Sequence, residues 1–156
     1  MKKSLILSVF TLVFAFGISA QSPDVQLDKQ GNYINSYGDL LTGNLEFSYA
    51  SGQLESIYQI TDGLKDGDMT VFYENGNTKE IGSFLDGKKV GEWFNYNTSG
   101  ALESVAFYKD NQKHGDWKVW DNNGTLRSVM HYQNGTRVGN WLTYDENGQV
   151  IESVNY

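Results

Sequence analysis

The chain has no cysteine, one proline and two histidines among 156 residues. Without cysteine, nothing is gained from oxidising surroundings, and an exported form must be held by packing and backbone pairing alone. The single proline lies in QSPD, residues 21–24, a stretch without periodicity that reads as a short flexible tail. His114 and His131 lie outside any nucleophile or metal signature and read as ordinary surface or groove residues. Nothing singles out a carboxylate pair either, so the sequence points to no enzyme, no metal and no cofactor. Helical periodicity is missing throughout.

Basic residues are also scarce: 12 Lys and Arg against 19 Asp and Glu, for a formal charge of −7. Two of those lysines lie in the opening MKKSLILSVFTLVFAFGISA, where they precede an apolar run from Leu5 to Ile18 and a small residue, Ala20. That order is a secretory signal peptide, residues 1–20, with cleavage before Gln21 and a periplasmic or extracellular destination. The run is short for a lasting membrane span. Loss of Lys2 and Lys3 moves the charge from −7 to −9. A surface that acidic repels phosphate backbones and anionic head groups, which argues against nucleic acid and, after cleavage, against membrane binding.

A ten-residue word is present in abundance. It reads GNLEFSYASG at 43, GDMTVFYENG at 67, GEWFNYNTSG at 91, GDWKVWDNNG at 115 and GNWLTYDENG at 139, a step of 24 residues throughout. A second feature keeps the step: Asp62-Gly63, Asp86-Gly87, Asp110-Asn111 and Asn134-Gly135, each followed by a base at Lys65, Lys89, Lys113 or Arg137. A strict period of this length means a repeat array. The units are 43–66, 67–90, 91–114, 115–138 and 139–156, preceded by residues 21–42 as a tail and degenerate capping hairpin. In that cap VQLDKQGNYIN spaces Asp and Gly as YDENGQVIE does.

Within each unit, two aromatic and β-branched runs flank a turn rich in Asn, Ser and Gly, the pattern of a β-hairpin. The fold expected is all-β: an elongated, single-layer antiparallel meander of stacked hairpins, about ten strands plus the cap. The glycine opening each unit, beside an aromatic two residues on, leaves room for a ring over the backbone or permits a bulge.

The run G-x-W-x-x-Y-x-x-x-G-x-L-x-x-x-x-x-Y-x-D/N-G-x-K/R resembles the variant MORN (membrane occupation and recognition nexus) repeat, found in many bacterial proteins, including a family labelled as antitoxins. The resemblance covers Gly43 to Tyr156 and is closest in the copies at 91, 115 and 139. The copy at 43 departs from it, with Leu45 in place of the tryptophan. The resemblance implies a single curved sheet with a groove, acting as an interaction module without enzymatic activity. GEWFNYNTSGAL and GNWLTYDENGQV also look like the aromatic repeats of choline-binding and glucan-binding cell-wall modules, but the step of 24 and the D/N-G-x-K/R turn favour the first family.

Equivalent residues of successive two-strand units recur roughly every 10 Å. Asp62, Asp86 and Asp110 are therefore too far apart to share a metal and read as turn formers. Lys65, Lys89, Lys113 and Arg137 read as solvated turn residues in weak pairs with those acids. Asn97, Asn123 and Asn134 match N-x-[ST], which Asn-rich turns produce by themselves.

The aromatics remain as candidate groove residues: Trp93, Tyr96, Tyr108, Trp117, Trp120, Tyr132, Trp141, Tyr144 and Tyr156. Alternation puts Trp93, Trp117 and Trp141 on one face and Tyr96, Trp120 and Tyr144 on the other unless a bulge intervenes. The second strands add Phe84, Tyr108, Tyr132 and Tyr156, and Trp117, flanked by full copies, is expected in the core and to matter more for stability than Trp141 in the last copy. The expected function is that of an exported protein-interaction or scaffold module, with an antitoxin or immunity role within that class and an envelope glycan as the alternative partner.

Overall fold

The computed structural model describes residues 24–156. The leader, residues 1–20, and the cleavage point before Gln21 lie outside the described residues. Thirteen strands follow: β1 (Gln26–Leu27), β2 (Tyr33–Ile34), β3 (Gly43–Ser48), β4 (Leu54–Thr61), β5 (Leu64–Phe72), β6 (Thr78–Leu85) and β7 (Lys88–Tyr96). They continue as β8 (Leu102–Lys109), β9 (Gln112–Trp120), β10 (Leu126–Gln133), β11 (Thr136–Arg137), β12 (Asn140–Tyr144) and β13 (Val150–Asn155). β3 to β13 form one open antiparallel sheet in which chain neighbours are sheet neighbours, with the two-residue β11 paired to β10 beside the main path. β1 and β2 form a separate hairpin. No helix occurs among the described residues.

Two kinds of turn build this meander. Asp62-Gly63, Asp86-Gly87, Asp110-Asn111 and Asn134-Gly135 have positive φ at both positions. Each is closed by a strand pair, such as Leu85 with Lys88. That is the two-residue hairpin whose mirror-image turn matches strand twist, and Asp and Asn fit it because they tolerate the left-handed region. The acids are thus turn formers, through backbone conformation. The second kind is a wider loop in which a side chain does bond its own backbone: Asp121 Oδ1 accepts from the N–H groups of Asn123 and Thr125, at 2.9 and 3.0 Å. Asn97 and Asp145 repeat this arrangement. So does Asp28 in the β1–β2 hairpin, whose N–H groups of Gln30 and Asn32 both donate at 2.8 Å.

Turns also tie each unit to the one before. The N–H groups of Gly63, Gly87, Asn111 and Gly135 donate to the carbonyls of Leu41, Lys65, Lys89 and Lys113, at 2.8 to 3.0 Å. Tyr33 accepts from Leu41 and donates to the Gly63 carbonyl, so the leading hairpin joins this series through the first unit.

The opening glycines Gly67, Gly91 and Gly115 sit in bulges, whereas Gly43 pairs regularly with Ile60. On β9 three residues, His114, Gly115 and Asp116, stand opposite Phe107 alone, and on β7 Gly91 occupies the same place opposite Gly82. Gly91 has φ of +68° with no atom within 4 Å of a Cβ placed there, so conformation and not space requires it. Room for a ring is needed elsewhere, at Gly82 on β6, where a Cβ would overlap the Trp93 indole. That contact makes Trp93 the centre of the core: it is 1% exposed, packed with Met69 and Ala106 and flanked by Phe84, Tyr108 and Trp117. Trp117, expected in the core, packs against this cluster. Trp117 is only partly buried, because its neighbours are Ala106 and Met130 and no glycine lets it sink onto the backbone.

Candidate functional site

Residues paired across strands share a face. One face therefore carries Trp93, Trp117 and Trp141 from β7, β9 and β12, with Phe84, Tyr108, Tyr132 and Tyr156 from the strands between. These rings form one unbroken series. Phe84 meets Trp93 edge-on at 5.2 Å between centroids, Trp93 meets Tyr108 at 5.8 Å, and the contacts continue through Trp117, Tyr132 and Trp141 to Tyr156 at 5.5, 5.4, 5.1 and 4.7 Å. Such tilted and edge-on pairs set the positive ring edge against a neighbour's negative face. The indole N–H groups are satisfied as well: Trp93 donates to the Val90 carbonyl, Trp117 to Phe107 and Trp141 to His131.

The basic residues complete the series, and here the expectation of solvated turn residues paired with Asp62, Asp86 and Asp110 is corrected. Lys89 Nζ lies 3.7 Å from the Trp93 centroid and 5.3 Å from that of Tyr108. Lys113 stands 4.1 Å over Trp117 and 5.0 Å over Tyr132, and Arg137 4.7 Å over Trp141 and 5.2 Å over Tyr156. Lys65 does the same between Tyr58, at 3.8 Å, and Phe84. Each cation is drawn to two negative ring faces. The carboxylate within reach is Glu80, 3.6 Å from Lys89 Nζ. Burial, reinforced by the Lys89 charge and opposed by Glu80, lowers the Lys65 pKa below its ordinary value. Burial first, then Glu80 and Tyr132, raises that of Tyr108.

The nine candidate rings thus divide. Trp93, Tyr108, Trp117, Tyr132, Trp141 and Tyr156 come together in the ladder. Tyr96, Trp120 and Tyr144 do not join it: on β7 the pairing runs without an extra residue from Trp93 to Tyr96, so Tyr96 lies on the opposite face. Trp93 has no surface to offer a partner. Exposure grows toward the other end, where Tyr156 is 49% accessible and Arg137 is exposed. The cations were visible as a row in the sequence, and their step of 24 matched that of the rings, which was the signal for their stacking.

On the opposite face, His131 Nδ1 is 2.6 Å from Asp116 Oδ1, and the His114 ring tilts against Phe107 at 6.1 Å. Phe107, His114 and Asp116 border a shallow depression of about 300 Å³ that Glu92, Val105 and Lys118 also line.

The profile of the MORN repeat variant matches residues 65–86, 89–110, 113–134 and 137–156. The chain belongs to the variant MORN repeat family. Each matched MORN segment starts at the base that covers the rings, Lys65, Lys89, Lys113 or Arg137. The hairpin at 43, with Leu45 where the tryptophan stands elsewhere, falls outside the match. MORN repeats in general are non-enzymatic modules of protein or membrane interaction. Comparison with curated proteins finds no match.

Proposed function

We propose that this MORN protein is exported and acts, without catalysis, as a protein-interaction or scaffold module, five units from 43 to 156 carrying the contact face and residues 21–42 forming a tail and cap. The observation that carries this reading is the graded ladder. It is closed at Trp93 and open at Arg137 and Tyr156, which flank the half-buried Trp141, and Arg, Trp and Tyr are the residue types that dominate the energetics of protein interfaces. An antitoxin or immunity role is one form this function takes, and a toxin gene beside this one would favour it.

The ladder suits a protein better than a sugar. A glycan platform needs free ring faces, whereas each tryptophan face here already carries its own Lys or Arg. An envelope-glycan module, the alternative, would rest on Tyr96, Trp120 and Tyr144, which take no part in the ladder.

The test is retention of envelope proteins from the native host on immobilised residues 21–156, beside Arg137→Ala and Tyr156→Ala variants. The expected result is a partner held by wild type and lost by both variants. Retention of no protein, with tryptophan fluorescence changed by cell-wall fragments, would replace this reading with the glycan one.

A further inference from the structure

The face opposite the ladder is apolar along its middle, where a solvated antiparallel sheet would carry polar residues. Cross-strand pairs join Ile57, Ile81, Phe94, Val105, Val129 and Leu142 into one row perpendicular to the strands. Thr70 and Lys118 complete it, and Lys118 is the only charge between Ile57 and Leu142. Alternation places Phe72, Tyr96, Trp120 and Tyr144 on the same face, two residues along each strand from Thr70, Phe94, Lys118 and Leu142. Ile81 remains 37% exposed, and among the described residues no second layer covers the row.

We infer that this face packs against the same face of a second copy, making a two-sheet sandwich. The dimensions fit. The row crosses eight strands, and eight strands at about 4.8 Å and about five residues at 3.3 Å give a face on the order of 600 Å², the low end of the roughly 600 to 1,000 Å² that each partner of a stable complex contributes. Antiparallel sheets pack face to face at roughly −30°, an angle that follows from twist and needs no change of backbone. An isologous pair closes on itself and buries both apolar rows at once. The acids on this face include Glu46, opposite Ile57 at the end of the row, and Asp68, Glu92 and Asp116 beside it, the last two in the depression next to Lys118. Two chains of like net charge repel at long range, so the association should tighten as salt screens them. This contact leaves the ladder free, and its failure is separate from that of the function proposed above.

Sedimentation of residues 21–156 reads the proposal directly. Wild type is expected at twice the chain mass, more completely at higher salt, and Val105→Lys at the single mass with an unchanged far-ultraviolet spectrum. A wild type at the single mass under all conditions overturns the inference. So does a dimer that survives Val105→Lys, or one abolished by Ile151→Lys on β13 alone, which would mean pairing of sheet edges. Because the chain has no cysteine, single thiols provide a second reading that does not depend on the lysine variant folding. Labelling of Thr70→Cys, on the apolar face, should slow several-fold as protein concentration rises, and labelling of Thr143→Cys, on the ladder face, should not. Equal rates at both positions also overturn it.

Discussion

Lys89 holds its ammonium 3.7 Å from the centroid of the Trp93 indole, and the same pairing of a base with a tryptophan four residues on recurs at Lys113 and Arg137. Four residues along a bulged strand return to the same face, so the glycine between the two residues, Gly91 in this unit, sets the geometry. Replacing Lys89 by Met keeps the aliphatic stem over the ring and removes only the charge. It is expected to destabilise the fold by about 0.5 to 2 kcal/mol, the range for cation–ring contacts from exposed to desolvated. A denaturation cycle with Trp93→Leu measures the coupling, and a value near zero would make Lys89 a mere cover.

The three equivalent tryptophans should differ in stability according to burial. Trp93→Ala is expected to cost about 3 to 5 kcal/mol, as large aromatic deletions in cores do. Trp117→Ala should cost less, and Trp141→Ala least, since its terminal hairpin has one neighbour. Urea denaturation of the three variants gives the order. Equal midpoints for Trp93→Ala and Trp141→Ala would contradict the graded core.

The meander, its step and the hairpin turns were legible in the sequence because they depend on local chemistry that repeats: Asp-Gly and Asn-Gly turns, alternating strands, and glycine before each bulge. The centre of the core was not legible from the step alone. Trp93 and Trp117 hold the same position in their units and differ only through residues on adjacent strands. Gly82, under the Trp93 indole, lets Trp93 sink, and the matching place beside Trp117 holds Ala106. The role of Lys65, Lys89, Lys113 and Arg137 was missed for a similar reason. Their nearest neighbours in sequence are turn acids, while their neighbours in space are rings on two adjoining strands.

Two glycines should fail for different reasons when substituted. Gly91→Ala introduces a Cβ into open space but at φ of +68°, a strain of about 1 to 2 kcal/mol that Asn should partly relieve. Gly82→Ala has no such conformational problem and instead collides with Trp93. Here Asn should be worse than Ala, since it adds volume to the collision. Thermal unfolding of the four variants tests both, and a Gly82→Asn protein more stable than Gly82→Ala would refute the steric account.

High pH should loosen the sheet through its tyrosines. Tyr108 has its pKa raised above 10.0, by burial first and then by Glu80 and Tyr132, and those of Tyr33 and Tyr49 are raised as well, in each case by burial first. A phenol whose folded pKa exceeds its unfolded value keeps its proton in the fold after the unfolded chain has lost it. Its contribution to stability is therefore complete below 10.0 and declines as pH rises from there through the folded pKa. Lys65 acts in the opposite sense. Its pKa is lowered from 10.5, so the fold gains relative stability as pH climbs from the folded value toward 10.5. Titration of tyrosinate absorbance should show a late-ionising group absent from Tyr108→Phe, and that variant should lose less stability between neutral and strongly alkaline pH than wild type. Parallel losses in the two proteins would mean that Tyr108 ionises as freely in the fold as in the unfolded chain.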